Sequence, residues 1–183
     1  MLFRSLNPNS AYGEGKRAAE LLCTLMASQH GFEAKIARCF AFVGPHLPLD
    51  AHFAVGNFIR DGIQSKPIHI RGDGTAYRSY LYAADLTIWL WTILFQGKSC
   101  QPYNVGSDLA ITIGELGKLV TEVIGSKREI IIDRQPLAGK AAEQYVPAIK
   151  TALLDLQLQP SIDLPTSIKK TVDWYRSLSI ASK

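Results

Sequence analysis

Ser10-Ala11-Tyr12-Gly13-Glu14-Gly15-Lys16-Arg17-Ala18-Ala19-Glu20 sets a phenol and an ammonium four residues apart at the head of a long apolar-periodic segment. On a helix that spacing puts both side chains on one face, a turn from each other. An ammonium beside a phenol favours the phenolate. A phenol tuned in this way can act as base or acid toward a hydroxyl near neutral pH. A surface helix start with Tyr12 and Lys16 at this spacing by chance fits the pentapeptide as well, so the rest of the chain has to decide. The segment reads as a helix from Ala11 to His30, with Ala18, Leu21, Leu22, Leu25 and Met26 as its apolar stripe and Gly31 as its stop.

Outward from this helix, Glu33 to Phe42 reads as a strand that Val43-Gly44-Pro45 ends. Functional loops sit at such strand ends in open α/β sheets. A helix is expected from Phe53 to Gln64, a short strand at Pro67 to Ile70, and a turn at Gly72-Asp73-Gly74. Arg78 to Tyr82 is extended, and Ala84 to Gln96 is a strongly apolar helix stopped at Gly97. Pro102 to Gly106 reads as a strand, Thr112 as the cap of a helix over Ile113 to Ile124, and Glu129 to Asp133 as another strand. Arg134 to Ala148 reads as irregular, and helices over Ile149 to Leu156 and Thr166 to Ser177 follow, with Pro160 and Pro165 in the link. Helices alternating with short strands give the class: α/β. No G-x-G-x-x-G or G-x-x-G-x-x-G follows a strand; Gly13 and Gly15 read as helix-start residues rather than as a phosphate loop.

The composition narrows the function classes. Of the 183 residues 47% are hydrophobic, enough for a real core, and the formal charge of +4 is spread without a Lys/Arg run. Nothing there suggests nucleic acid as a partner. Cys23, Cys39 and Cys100 are odd in number and form no CxxC, which argues against a disulfide framework or zinc site and suits a reducing cytoplasm. His30, His46, His52 and His69 show no metal-ligand spacing, so no metal is expected. The apolar run Leu86 to Phe95 is too short to span a bilayer, and no membrane association is expected.

Several motifs in order give the chain a family resemblance. Tyr12-Gly13-Glu14-Gly15-Lys16 matches YxxxK, and Arg38 to Pro45 resembles R-x-F-N-x-Y-G-P. Gly72-Asp73-Gly74 with Arg78 to Asp85 resembles G-D-G-x-x-x-R-D-(Y/F)-x-(Y/H)-V-x-D. Tyr103-Asn104-Val105-Gly106 and the ending Leu164 to Tyr175 have counterparts too. Together they resemble the C-terminal half of an extended short-chain dehydrogenase/reductase, in particular the NAD-dependent epimerase/dehydratase family acting on nucleotide sugars.

The resemblance implies the C-terminal part of a Rossmann-like NAD(P)-binding fold plus a small α/β substrate domain, without the glycine-rich half. Residues 1–50 would end the Rossmann-like domain, residues 51–183 would be mainly substrate domain, and 78–106 would contribute back to the Rossmann-like sheet. It implies Tyr12 as proton acceptor and Lys16 as its partner, both also touching NAD (or NADP), with Phe40, Val43 and Pro45 lining the nicotinamide side. Arg78 would clamp the diphosphate of the nucleotide sugar, as a planar guanidinium can; a surface ion pair with Asp73 or Asp85 is its other reading. Asn57 and Asn104 would contact substrate, or serve as capping and turn residues. Ala41 stands where the family usually has Asn, which puts the substrate class in question or moves that contact to Asn57. A homodimer through the YxxxK helix is implied, although the stripe fits packing on the sheet as well. The chain alone is expected to bind NAD poorly and to be inactive. A non-catalytic nucleotide-sugar-binding or assembly module, or a reductase of a non-sugar alcohol, are the alternatives.

Overall fold

The computed structural model describes residues 8–51, 53–125, 128–139 and 141–181. After a 3-10 turn at Pro8–Ser10, helix α1 (Ala11–His30) leads into β1 (Ile36–Cys39) and β2 (Phe42–Val43). Helix α2 (Ala54–Ile63), β3 (Ile68–Ile70), β4 (Tyr77–Arg78), β5 (Leu81–Tyr82) and α3 (Ala83–Gln96) follow. Then come β6 (Pro102–Val105), β7 (Ile111–Thr112), α4 (Ile113–Ile124), β8 (Ile130–Ile132), β9 (Gln144–Tyr145), α5 (Lys150–Leu156) and α6 (Leu164–Ala181).

Most of the strand pairs are parallel: β1 with β6, β2 with β5, β3 with β8, and β4 with β9, while β7 pairs antiparallel to β4. Parallel neighbours need crossover connections, and the interleaved helices supply them. The single strand expected over Glu33 to Phe42 is two. The Phe40 amide donates to Val105 O, whereas Ala41 O accepts from the Leu81 amide. The chain therefore changes partners between Phe40 and Ala41, from β6 to β5, and the ladder breaks there.

Two apolar clusters hold the elements. Val55, Phe58 and Ile59 of α2 meet Ile68 and Ile70 of β3, Leu116 and Val120 of α4, and Ile168 and Val172 of α6. Trp89 and Ile93 of α3 meet Leu81, Tyr103 and Val105 on the strands, with Ile149 at the head of α5 and Ala152 within it. Full burial of such side chains stabilises by roughly 1.5–3 kcal/mol each. Trp89 is core, whereas Trp91 is exposed and stacks on Phe95 with ring centroids 5.5 Å apart. Gly44 is needed for packing: a Cβ there would come within 2.5 Å of the Ala83 Cβ, so only glycine lets β2 pass the start of α3.

Helix ends follow local chemistry. Thr112 Oγ1 accepts from the Glu115 amide at 3.1 Å and the Glu115 carboxylate accepts from the Thr112 amide at 2.9 Å, a reciprocal cap at the head of α4. Helix α6 starts before the expected Thr166. Pro165 fits its first turn, where no amide donor is needed, and the Asp163 carboxylate accepts from the Thr166 amide at 2.8 Å. The stretch 134–148, read as irregular, contributes the two-residue strand β9.

Helix α1 is the exception to good packing. Ala27 is its buried residue, and Leu21, Leu22, Leu25 and Met26 are exposed. Its stripe is thus not seated on the sheet of this chain. A two-pronged bond from Arg38 Nε (2.7 Å) and Nη2 (2.6 Å) to the Glu20 carboxylate ties it to β1.

Candidate functional site

A cavity of about 420 Å³ opens between α2, the end of β3 and the start of α4. Its lining includes Asn57, His69, Arg71, Asp73, Arg78 and Ile113. The Gly72-Asp73-Gly74 turn shapes one wall. Asp73 Oδ1 accepts from the Thr75 amide at 3.0 Å and from the Thr75 hydroxyl at 2.7 Å. Gly74 takes φ +76°, a left-handed conformation that favours glycine. The carbonyls of Gly74 and Ala76 accept from the amides of Gly114 (2.9 Å) and Ile113 (3.0 Å), which brings the head of α4 to the cavity.

Arg78 reaches the cavity from β4 with its side chain 25% exposed. Its Nη1 donates to Tyr77 O at 2.8 Å and its Nη2 to the Glu143 carboxylate at 3.2 Å. Glu143 is 73% exposed and neither Asp73 nor Asp85 is bonded to the guanidinium among the described residues, so the partner lies far along the chain. Asn57 sits in the first turn of α2, where its Oδ1 accepts from Arg60 at 3.2 Å. Its Nδ2 has no protein partner among the described residues. His69 Nδ1 lies 3.3 Å from the Asp133 carboxylate. The lining thus carries Arg71, Arg78 and the His69 imidazole, while the acidic group, Asp73, is already engaged with Thr75. Such a surface suits an anion.

Tyr12 and Lys16 lie elsewhere. The Lys16 ammonium is 5.5 Å from the Tyr12 ring centroid, so the one-turn pairing exists. Tyr12 is 79% exposed, and neither residue lines the Arg78 cavity. The bond from Arg38, the last residue but one of β1, to Glu20 holds α1 against the carboxyl end of β1 one turn beyond Lys16. That carboxyl end is where ligands bind open α/β sheets.

The remaining candidates separate. Phe40 is half-buried and packs on Tyr145 with ring centroids 4.9 Å apart; Pro45 is half-buried. Val43 is buried, with its side chain in the core. Asn104 is also spoken for: its Nδ2 donates to Ala148 O at 2.9 Å, joining β6 to the approach of α5, and it does not line the Arg78 cavity. His46 packs its ring on Trp174 at 4.7 Å, and His52 lies outside the described residues. Sequence reading missed Glu143, Tyr145, His69 and Arg71. Glu143 and Tyr145 sit in a stretch too short in strand to show a period, and His69 and Arg71 carry no motif of their own.

Residues 2–106, more than half of the chain, match the sequence model of the NAD dependent epimerase/dehydratase family. The chain belongs to this family. It is 29% identical over 171 residues to UDP-glucuronic acid decarboxylase 1 of Xenopus tropicalis, covering 93% of this chain and 40% of that protein. It is 32% identical over 164 residues to UDP-glucuronic acid decarboxylase 3 of Arabidopsis thaliana, covering 87% and 47%. Among solved structures, the UDP-glucose 4-epimerase of Thermotoga maritima with UDP-glucose superposes with a TM-score of 0.82 at 24% identity, over 92% of this chain and 54% of that one. The Bordetella bronchiseptica enzyme WbmF in complex with NADH gives 0.84 at 21% identity, over 98% and 57%. The family member described here therefore shares the α/β fold of Rossmann-like epimerases and dehydratases and spans about half the length of the relatives it matches. None of its described helices is long and apolar enough to cross a membrane.

Proposed function

We propose that this chain carries the substrate-gripping and proton-handling residues of an NAD(P)-dependent nucleotide-sugar epimerase, 4,6-dehydratase or decarboxylase. The observation that carries the reading is the meeting of Arg78 and Asn57, from separate elements, in one cationic cavity. Arg78 offers a fork to a diphosphate in exchange for an exposed carboxylate, and Asn57 offers an amide donor that no described residue engages. The domain division follows: residues 51–183 mainly hold the substrate, and residues 1–50 present Tyr12 and Lys16 to the cofactor.

The described residues fit one end of NAD. Supporting this, Tyr12 is exposed on the helix that Glu20 ties to β1, Phe40 follows β1 and Pro45 follows β2, while among the described residues no glycine-rich turn at a strand end offers a pyrophosphate cradle. Bound there, NAD supplies the hydride acceptor. Tyr12 takes the proton of the sugar hydroxyl and Lys16 holds its charge. Tyr12 is too exposed to exclude water in this chain, so the chain alone binds NAD weakly and does not turn over. That exposure also favours, as a second reading, a non-catalytic nucleotide-sugar-binding or assembly module. An alcohol without phosphate would leave the Arg78 cavity without a purpose, which weighs against a reductase of apolar alcohols. The exposed α1 stripe fits a homodimer through that helix, and three free thiols, Cys23, Cys39 and Cys100, fit the cytoplasm.

Calorimetric titration tests the reading. UDP should bind saturably and lose at least about tenfold in affinity in Arg78→Ala, whereas NAD should show little heat. Equal UDP affinity in Arg78→Ala would end the nucleotide-sugar assignment, and tight NAD binding would end the view that the cofactor site is incomplete.

A further inference from the structure

A larger cavity, about 700 Å³, lies between α4, β7 and the link that precedes α6, and shares no lining residue with the Arg78 site. Leu109, Ile111, Leu119 and Ile162 make it largely apolar. Its size falls in the usual range of small-molecule sites, roughly 300–1,000 Å³.

The walls are held in place without a ligand. Asp85, 2% exposed, accepts from the amides of Ser161 (3.1 Å) and Ile162 (3.2 Å) and from the Ser161 hydroxyl. Ser107 Oγ accepts from the Leu109 amide at 3.2 Å on the other side. A site already shaped in this way loses little entropy on filling.

Tyr80 borders this cavity. It is 9% exposed, its ring belongs to the core, and its hydroxyl has no hydrogen-bond partner among the described residues. Its oxygen is not one of the fully buried unpaired atoms, so it opens on the cavity, where an acceptor can meet it. Burial pushes its pKa up to about 12, which keeps the proton on and leaves the phenol able to donate. The charged lining comprises the carboxylates of Glu115, Glu122 and Asp163 against the ammonium of Lys118. Hydrogen bonds from Thr112 and Thr166 hold Glu115 and Asp163 below the usual carboxylate range, so both are anionic near neutral pH. The balance favours a cation.

We propose that this cavity is a second ligand site, taking a compact aromatic or alicyclic ammonium compound whose hydrogen-bond acceptor meets the Tyr80 hydroxyl. The apolar body fills the space between Leu109, Leu119 and Ile162, and the ammonium lies at the Glu122 edge.

The probe is 5-methoxytryptamine, which combines an indole, an acceptor oxygen and an ammonium. Its isostere with the opposite charge, 5-methoxyindole-3-acetate, is the control. Saturable binding to the chain is expected at roughly 0.1–1 mM. Tyr80→Phe and Glu122→Gln should each weaken it about three- to tenfold. Ala110→Trp, at an exposed lining position, should abolish it. The acetate should bind at least about tenfold more weakly. Non-saturable binding, equal binding of the acetate, or insensitivity to Tyr80→Phe would each overturn the proposal. Circular dichroism of every variant separates a lost site from a lost fold, and the exposed Ala110 and Glu122 positions keep the test decisive if Tyr80→Phe unfolds.

Discussion

The proposed phosphate contact of Arg78 competes with Glu143. Its carboxylate meets the Arg78 guanidinium at 3.2 Å, and a diphosphate in the cavity has to displace it. With Glu143 73% exposed and Arg78 25% exposed, that ion pair lies at the rim. Exposed pairs contribute about 0.2–1 kcal/mol, so Glu143→Gln should tighten UDP binding by up to about fivefold. The same substitution leaves β9 paired, because the Tyr77 amide donates to the backbone carbonyl of Glu143 at 2.7 Å. Arg78→Ala acts in the opposite sense. Charge-assisted bonds to phosphate are worth about 1.5–3 kcal/mol, which predicts roughly a 10- to 100-fold loss. Arg78→Lys should recover part of this, as a point charge without the fork. Calorimetry at two salt concentrations checks the scheme, since screening weakens the rim pair and the phosphate contact alike. Weaker binding in Glu143→Gln would refute the competition, and a double variant as tight as Glu143→Gln alone would show that Arg78 is not the phosphate contact.

Asp85→Ala removes the acceptor of two backbone amides and a hydroxyl in the link before α6, and urea unfolding should show a loss of about 3–5 kcal/mol; a loss under about 1 kcal/mol would mean that water takes its place. The hydrogen bonds of Arg38 to Glu20, Thr112 to Glu115 and Thr166 to Asp163 lower all three carboxyl pKa values, so their contribution is complete above the ordinary carboxylate range and is lost as pH falls through the lowered values. Thermal melts from about pH 6 down to about pH 3 should fall less steeply for Asp163→Asn than for the parent, and parallel curves would contradict the assignment. Leu22→Glu with Leu25→Lys should lower self-association in sedimentation velocity, because both leucines lie on the exposed stripe of α1. Unchanged sedimentation would place any association on another face.

The α/β alternation, the cap at Thr112, the stop at Gly31 and the one-turn spacing of Tyr12 and Lys16 were all determined by the sequence. Each depends on side chains and backbone groups within about a turn of one another, and such contacts leave a local signature. Motif order also singled out Arg78 and Asn57. Only the tertiary structure decided that these two share a cavity, that Glu143 rather than Asp73 or Asp85 holds Arg78, and that Val43 and Asn104 are already used by the fold. It also decided where the strand after α1 breaks, because the break marks a change of neighbour from β6 to β5. Parallel pairing and long-range ion pairs join residues tens of positions apart. Their partners are selected by how the helices pack the strands together, and no short window of sequence contains both sides of such a contact.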